Sequence, residues 1–248
     1  TWYGSERYTD AGKPEMPLGS YTPTLRLLKG EEQTEETTPP EATFGTHLEC
    51  DVLYSYNGID GTYGDSGKPN SVMSKHTDNP GEIAVGPGYR KGLVSFVLDD
   101  NVNTINWDFA AIDLVGSHGG RAYGDVTVKA YLVEAYALDT VTWNTFPAKI
   151  DGSPECTFYA GGSKYQTVRC DVTELIEWAA EQNMTNVYIA LEEIAGNTAW
   201  WGTERYTDAS KPDMPQGSYT PTLKLLRVSD EDRFKIKGDD RVMLPDEY

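Results

Sequence analysis

The stretch Trp200-Trp-Gly-Thr-Glu-Arg-Tyr-Thr-Asp-Ala-Ser-Lys-Pro-Asp-Met-Pro-Gln-Gly-Ser-Tyr-Thr-Pro-Thr-Leu-Lys-Leu-Leu226 organises this chain, because the chain also opens on it. Residues 2–28 read Trp-Tyr-Gly-Ser-Glu-Arg-Tyr-Thr-Asp-Ala-Gly-Lys-Pro-Glu-Met-Pro-Leu-Gly-Ser-Tyr-Thr-Pro-Thr-Leu-Arg-Leu-Leu. They match 200–226 at a constant offset without a gap, and roughly three-quarters of the positions are identical. A self-match of this kind marks a repeat architecture. Each copy reads as a hairpin: a strand at the Trp end, a long turn rich in Pro and Gly, and a strand at the Leu end. In the leading copy these strands are 2–8 and 22–28. Two strands alone are marginal in water, so each copy must dock on something. One body, residues 42–198, lies between them. The pattern is that of a slice through a longer array: 1–30 as the closing hairpin of a preceding repeat, then one whole repeat ending in its own.

Working outward, residues 31–41 (Glu-Glu-Gln-Thr-Glu-Glu-Thr-Thr-Pro-Pro-Glu) form an acidic Thr/Pro linker that has no apolar area to bury. The body, 42–227, carries short runs of β-type alternation. Strands are expected at 43–56, 71–76, 90–98, 106–115, 125–136, 166–170 and 186–192. The run Arg90-Lys-Gly-Leu-Val-Ser-Phe-Val-Leu98 is apolar enough for a central strand. The Gly-rich stretches 57–67 and 79–88 read as turns, and 138–147 as a loop holding Trp143. One helix is expected over 171–182. Asp171 or Thr173 can cap it, and Leu175, Ile176, Trp178 and Ala179 form its apolar face. Residues 228–248 are a charged tail or the start of another linker. Many short strands with one helix indicate an all-β chain, an antiparallel β-sandwich.

Composition narrows the partners. The chain of 248 residues has a formal net charge of −18. No basic stripe exists to neutralise phosphates, so a nucleic-acid partner is not expected. No run of 18 apolar residues occurs, so no membrane insertion is expected. The three cysteines, Cys50, Cys156 and Cys170, lack zinc-ligand spacing. They allow three free thiols, or one disulfide, with Cys156 and Cys170 flanking an apparent short hairpin. Three histidines (His47, His76, His118) stand beside no nucleophile, and no catalytic motif occurs, so no enzyme activity is expected.

The order of signals resembles the DNRLRE domain, also described as a disaggregatase-related repeat and close to carbohydrate-binding module family 96. The resemblance rests on the Tyr-Gly loop within 51–64, the Arg-x-x-Leu-x-x-Phe-x-Leu type of strand at 90–98, Val-Thr-Trp-Asn…Pro at 141–147, Asp-Val-Thr…Trp at 171–178, and the closing Thr-Glu-Arg…Pro-x-Leu element at 203–223. It covers essentially 42–227. It implies a jelly-roll-like sandwich in an extracellular or cell-surface protein, in tandem or beside polysaccharide-active domains, with acidic polysaccharide as a ligand of some relatives. The insertions at 57–87 and 151–164 depart from the family pattern.

Two sets of residues carry candidate function. Trp200 and Trp201 face opposite sides if they lie in a strand. The Trp shared by both copies, Trp200, is then the expected core residue, and Trp201 the expected platform for a sugar ring. Arg205, Tyr206, Asp208 and Lys211 could grip glycan hydroxyls or carboxylates, or could instead fix the long turn. In the leading copy, Trp2, Tyr3, Arg7, Tyr8, Leu25 and Leu27 are left to pair with another copy of the chain or an adjacent repeat. Such head-to-tail contacts can propagate into a filament. No cofactor is read directly; Asp60, Asp65, Asp99 and Asp100 leave a structural calcium open, with its metal ligands unknown. The leading reading is a non-catalytic repeat module that assembles through its extra hairpin; the alternative is a carbohydrate-binding module.

Overall fold

Eleven strands and two helices make up the secondary structure of the described residues, 50–73, 81–117, 126–160 and 165–228 of the computed structural model. In chain order they are β1 (Cys50–Asn57), β2 (Ile59–Asp65), β3 (Glu82–Val85), β4 (Arg90–Val97), the single turn α1 (Asn101–Thr104), β5 (Phe109–Val115), β6 (Val126–Leu132), β7 (Glu155–Tyr159), β8 (Thr167–Asp171), α2 (Thr173–Glu181), β9 (Asn186–Gly196), β10 (Ala199–Gly202) and β11 (Thr222–Val228). Every strand pairing is antiparallel.

Two sheets face each other across the main core. One runs β1-β11-β5-β8 and the other β2-β4-β9-β6-β7. Setting aside β2, β3 and β10, the eight remaining strands counted along the chain lie 1-8-3-6 and 2-7-4-5, the order of a jelly roll. The core shows why the alternating strands adopt it. Val94 and Phe96 of β4 and Ile189 and Leu191 of β9 meet Ile112 and Leu114 of β5 and Leu223 and Leu225 of β11. Leu93 and Ala190 point to the opposite face, into a second cluster with Met73, Tyr131, Val133 and Val141. β4 is therefore buried on both faces, as its continuous apolar run requires. α2 lays Leu175, Ile176 and Ala179 onto the main core, with Trp178 half-buried at its edge. The N-cap position of this helix is Val172, not Asp171 or Thr173 as expected, and it makes no side-chain cap bond; Asp171, just before it, accepts from the Thr173 amide at 2.9 Å and the Thr173 hydroxyl at 2.6 Å.

The outer face of the four-stranded sheet is tied by one carboxylate. Asp113 of β5 is only 7 % exposed. It accepts a bidentate pair from Arg169 of β8 (2.8 and 3.0 Å) and a bond from Lys224 of β11 at 2.6 Å. Burial raises its pKa, but the hydrogen bonds from Arg169 and Lys224 outweigh that and hold the carboxyl below the usual range. A lowered folded pKa gives stability that is present above the unfolded carboxylate pKa and is lost as pH falls through the folded one. Asp113→Asn is expected to cost about 2 kcal/mol at pH 7, after allowance for the partly exposed cations. Its gap to the unchanged chain in urea melts should close below about pH 4; a gap that persists at pH 2 counts against an ionised tie.

Several expectations are corrected. The Gly-rich stretch 57–67 holds a strand, β2, paired with β4. Its glycines serve close packing: a Cβ at Gly61 would lie 2.5 Å from the Thr203 methyl, and one at Gly64 2.6 Å from the Met73 methyl. The turn expected at 79–88 contains β3, buried throughout. Residues 71–73 form no strand, and 74–76 lie outside the described residues. The insertion 151–164 contributes β7 to the five-stranded sheet, and the single-turn α1 adds a second helix. Cys156 and Cys170 flank no hairpin, since β7 pairs with β6 and β8 with β5. Cys156 and Cys170 are free thiols, and burial pushes Cys156 up to about 11 and Cys170 well above its ordinary value. The leading copy, the linker and the tail from 229 lie outside the described residues.

Candidate functional site

The closing segment is not a hairpin. Its first strand, β10, pairs with β3: Trp200 lies opposite Ala84 and Trp201 opposite Ile83. Its second strand, β11, runs between β1 and β5 and pairs with both. The Pro- and Gly-rich stretch between them carries the chain from one ribbon to the four-stranded sheet. Local sequence could not reveal this, because each half looks like a strand while its partners lie far away along the chain.

This register decides the two tryptophans, and it reverses the expectation. Trp201 is 2 % exposed and belongs to the main core, so it offers no platform. Trp200 is the half-exposed one. The Arg90 guanidinium lies 4.5 Å above its ring and 4.8 Å from the Tyr89 ring, with Tyr63 edge-on to Trp200 at 5.3 Å. Identity between the copies misled here. The position that is buried as Trp201 reads Tyr in the other copy, whereas the shared Trp, as Trp200, holds the cation contact.

The polar residues expected to grip a glycan make contacts that anchor the crossing. Arg205 donates to the Gly61 carbonyl and lies 3.2 Å from Glu204. The Thr203 hydroxyl donates to the Gly81 carbonyl at 2.8 Å. The backbone comes so close there that a Cβ at Gly81, which has φ +82°, would sit 2.8 Å from Arg205 and Tyr206 backbone atoms. Tyr206 donates to the Ser117 carbonyl at 2.9 Å, and its ring packs edge-on to the buried Tyr219. Asp208 accepts from Tyr165 at 2.8 Å and from the Ser210 amide and hydroxyl, while the Lys211 ammonium lies 4.9 Å from the Tyr165 ring. These contacts pin the segment at β2, β3 and the ends of β5 and β8.

Asp99 accepts from both Tyr54 and Tyr56 (2.8 and 2.9 Å) and twice from Asn101, so its oxygens face donors. Asp65 accepts from the Gly67 amide and sits 3.5 Å from Arg90. Among the described residues no cluster of three or more His, Cys, Asp or Glu is placed to hold a metal ion. His47, His76 and His118, and the leading-copy residues Trp2, Tyr3, Arg7, Tyr8, Leu25 and Leu27, lie outside the described residues. Sequence reading placed Arg90 at the start of the β4 run but gave neither it nor Tyr89 a contact with Trp200; the Tyr-Arg pair at the start of that run was the available signal. No protein-family model matches the chain, and no curated protein matches it.

Proposed function

We propose that this chain is a non-catalytic, structural repeat module of an extracellular or cell-surface protein, joined head to tail to neighbouring copies of the same fold through residues 1–30. The observation that supports it most is the placement of β11. A segment of this sequence completes a sheet by lying between two strands that are remote in sequence. Residues 2–28 repeat that segment, and within one body the same position is already filled by 199–228. A second copy of a sheet-completing sequence calls for a second sheet to complete, and exposed sheet edges pair with strands of other chains. The resemblance to tandem DNRLRE-type domains supports the location and the non-catalytic role.

Light scattering of the full chain and of a chain lacking residues 1–41 tests this. The full chain is expected to show a mass that rises with concentration, and the shortened one the mass of a monomer. A full chain that stays monomeric at high concentration defeats the assembly reading. The alternative, a carbohydrate-binding module, loses Trp201 to the core and keeps Trp200 beside Arg90 as its aromatic surface. Retention on an acidic polysaccharide gel that is abolished by Trp200→Ala would favour it.

A further inference from the structure

The position filled by β10 and β11 recognises its occupant at identifiable points, and the leading copy carries a suitable residue at each. Gly202 is one: a Cβ there would lie 2.4 Å from the Cβ of Tyr219, and both residues recur as Gly4 and Tyr21. The Thr203 hydroxyl is replaced by that of Ser5, and the Lys224 ammonium that meets Asp113 by the guanidinium of Arg26. The buried Trp201 becomes Tyr3, still a large aromatic. The three remaining differences, at 210, 213 and 216, fall on exposed residues. Within 2–28, divergence falls on positions where the fold does not discriminate or where the interaction type is kept; just outside it, the buried Ala199 and Val228 are matched by Thr1 and Gly30.

Connectivity permits the exchange as well. Val228 pairs with Cys50 at the start of β1, and the residue aligned with Val228 is Gly30. With the leading copy in place, Gly30 would stand opposite Cys50, and 31–49 would close the turn between two antiparallel neighbours.

We propose that the β10–β11 position is a binding site for residues 2–28 as well as for 200–226, so that the leading copy closes the sandwich whenever the trailing copy leaves it. This builds on the assembly reading by naming where the leading copy binds. The trailing copy is the resting occupant. It follows β9 after only Asn197 and Thr198, whereas the leading copy is tethered through a connection about ten times longer, a disadvantage of roughly 30-fold in effective concentration.

The test uses four full-length chains: unchanged, Leu27→Asp, Leu225→Asp, and both together. Leu225 is fully buried, so Leu225→Asp disables the trailing copy. The expected result is a cooperative melt for both single variants and none for the double variant. A cross-link reads the occupant directly. Ser55 of β1 is opposite Lys224, and paired positions lie about 5 Å apart, within disulfide reach. In the Leu225→Asp chain, Arg26→Cys with Ser55→Cys is expected to form a mapped disulfide, while Lys224→Cys with Ser55→Cys forms one in the otherwise unchanged chain. A bridged monomer identifies closure by the chain's own leading copy, and a ladder of bridged chains identifies closure by a neighbour's; either supports the proposal. Leu225→Asp that melts no more cooperatively than the double variant, with no 26–55 bridge, overturns it. A monomeric mass with and without residues 1–41 would defeat the assembly reading yet leave this exchange standing.

Discussion

Trp201→Ala, made in a chain lacking residues 1–41, is expected to remove about 4 kcal/mol of unfolding free energy. The ring is 2 % exposed and sits in the main core on β10, opposite Ile83 of β3. Truncating a fully buried aromatic loses its transfer free energy and leaves a cavity that a jelly roll, braced by two sheets, closes only in part. The shortened chain is specified so that Tyr3 of the leading copy cannot take the vacated position. Trp200→Ala in the same background is expected to cost no more than about 1 kcal/mol, the scale of a cation–aromatic contact at a half-exposed site. Urea melts of the two variants decide the matter. Equal losses, or a larger loss for Trp200, would return Trp201 to the surface, where an aromatic residue can serve a sugar.

The contrast between these neighbours shows what sequence could carry. Alternation told that they face opposite sides, but not which side is the core, because parity needs a partner and the partner is β3, more than a hundred residues earlier. β3 was itself hidden in a glycine-rich stretch. The same holds for β2. Glycine reads as a turn by default, yet Gly61 and Gly64 lie in a strand where side chains press too closely to admit a Cβ. Strands whose burial is set by their own residues were legible: β4 and β9 with near-continuous apolar runs, β11 with Leu223 and Leu225 alternating against Lys224, and α2 with Asp171 just before it. The sandwich follows from such strands. The crossing from β10 to β11 does not, since nothing local distinguishes a long turn within a hairpin from a passage between sheets. That one ambiguity changes the reading of the site. As a hairpin turn, Arg205, Tyr206 and Asp208 would stand free for a ligand; as anchors of a crossing they bind Gly61, Ser117 and Tyr165.

Gly202→Ala tests which copy completes the sandwich in the resting chain. The Cβ it adds would meet the Cβ of Tyr219 at 2.4 Å and its ring at 2.8 and 3.0 Å. A Cβ is fixed by its backbone, so no rotamer change of Tyr219 relieves the clash, and Tyr219 is fully buried. One of the two chain segments must shift. Overpacking of this kind costs typically 1–3 kcal/mol, and in the full-length chain the expected loss is at most about 2 kcal/mol, the equivalent of the roughly 30-fold disadvantage at which the leading copy takes the position instead. Gly4→Ala introduces the same change at the matching place in the leading copy. That copy does not occupy the position in the resting chain, so the variant is expected to stay within about 0.5 kcal/mol of the parent, as surface substitutions do. Thermal or urea unfolding of the two full-length variants, followed by near-ultraviolet circular dichroism, reads the difference. A loss produced by Gly4→Ala and absent from Gly202→Ala would mean that the leading copy, not the trailing one, closes the sheet between β1 and β5.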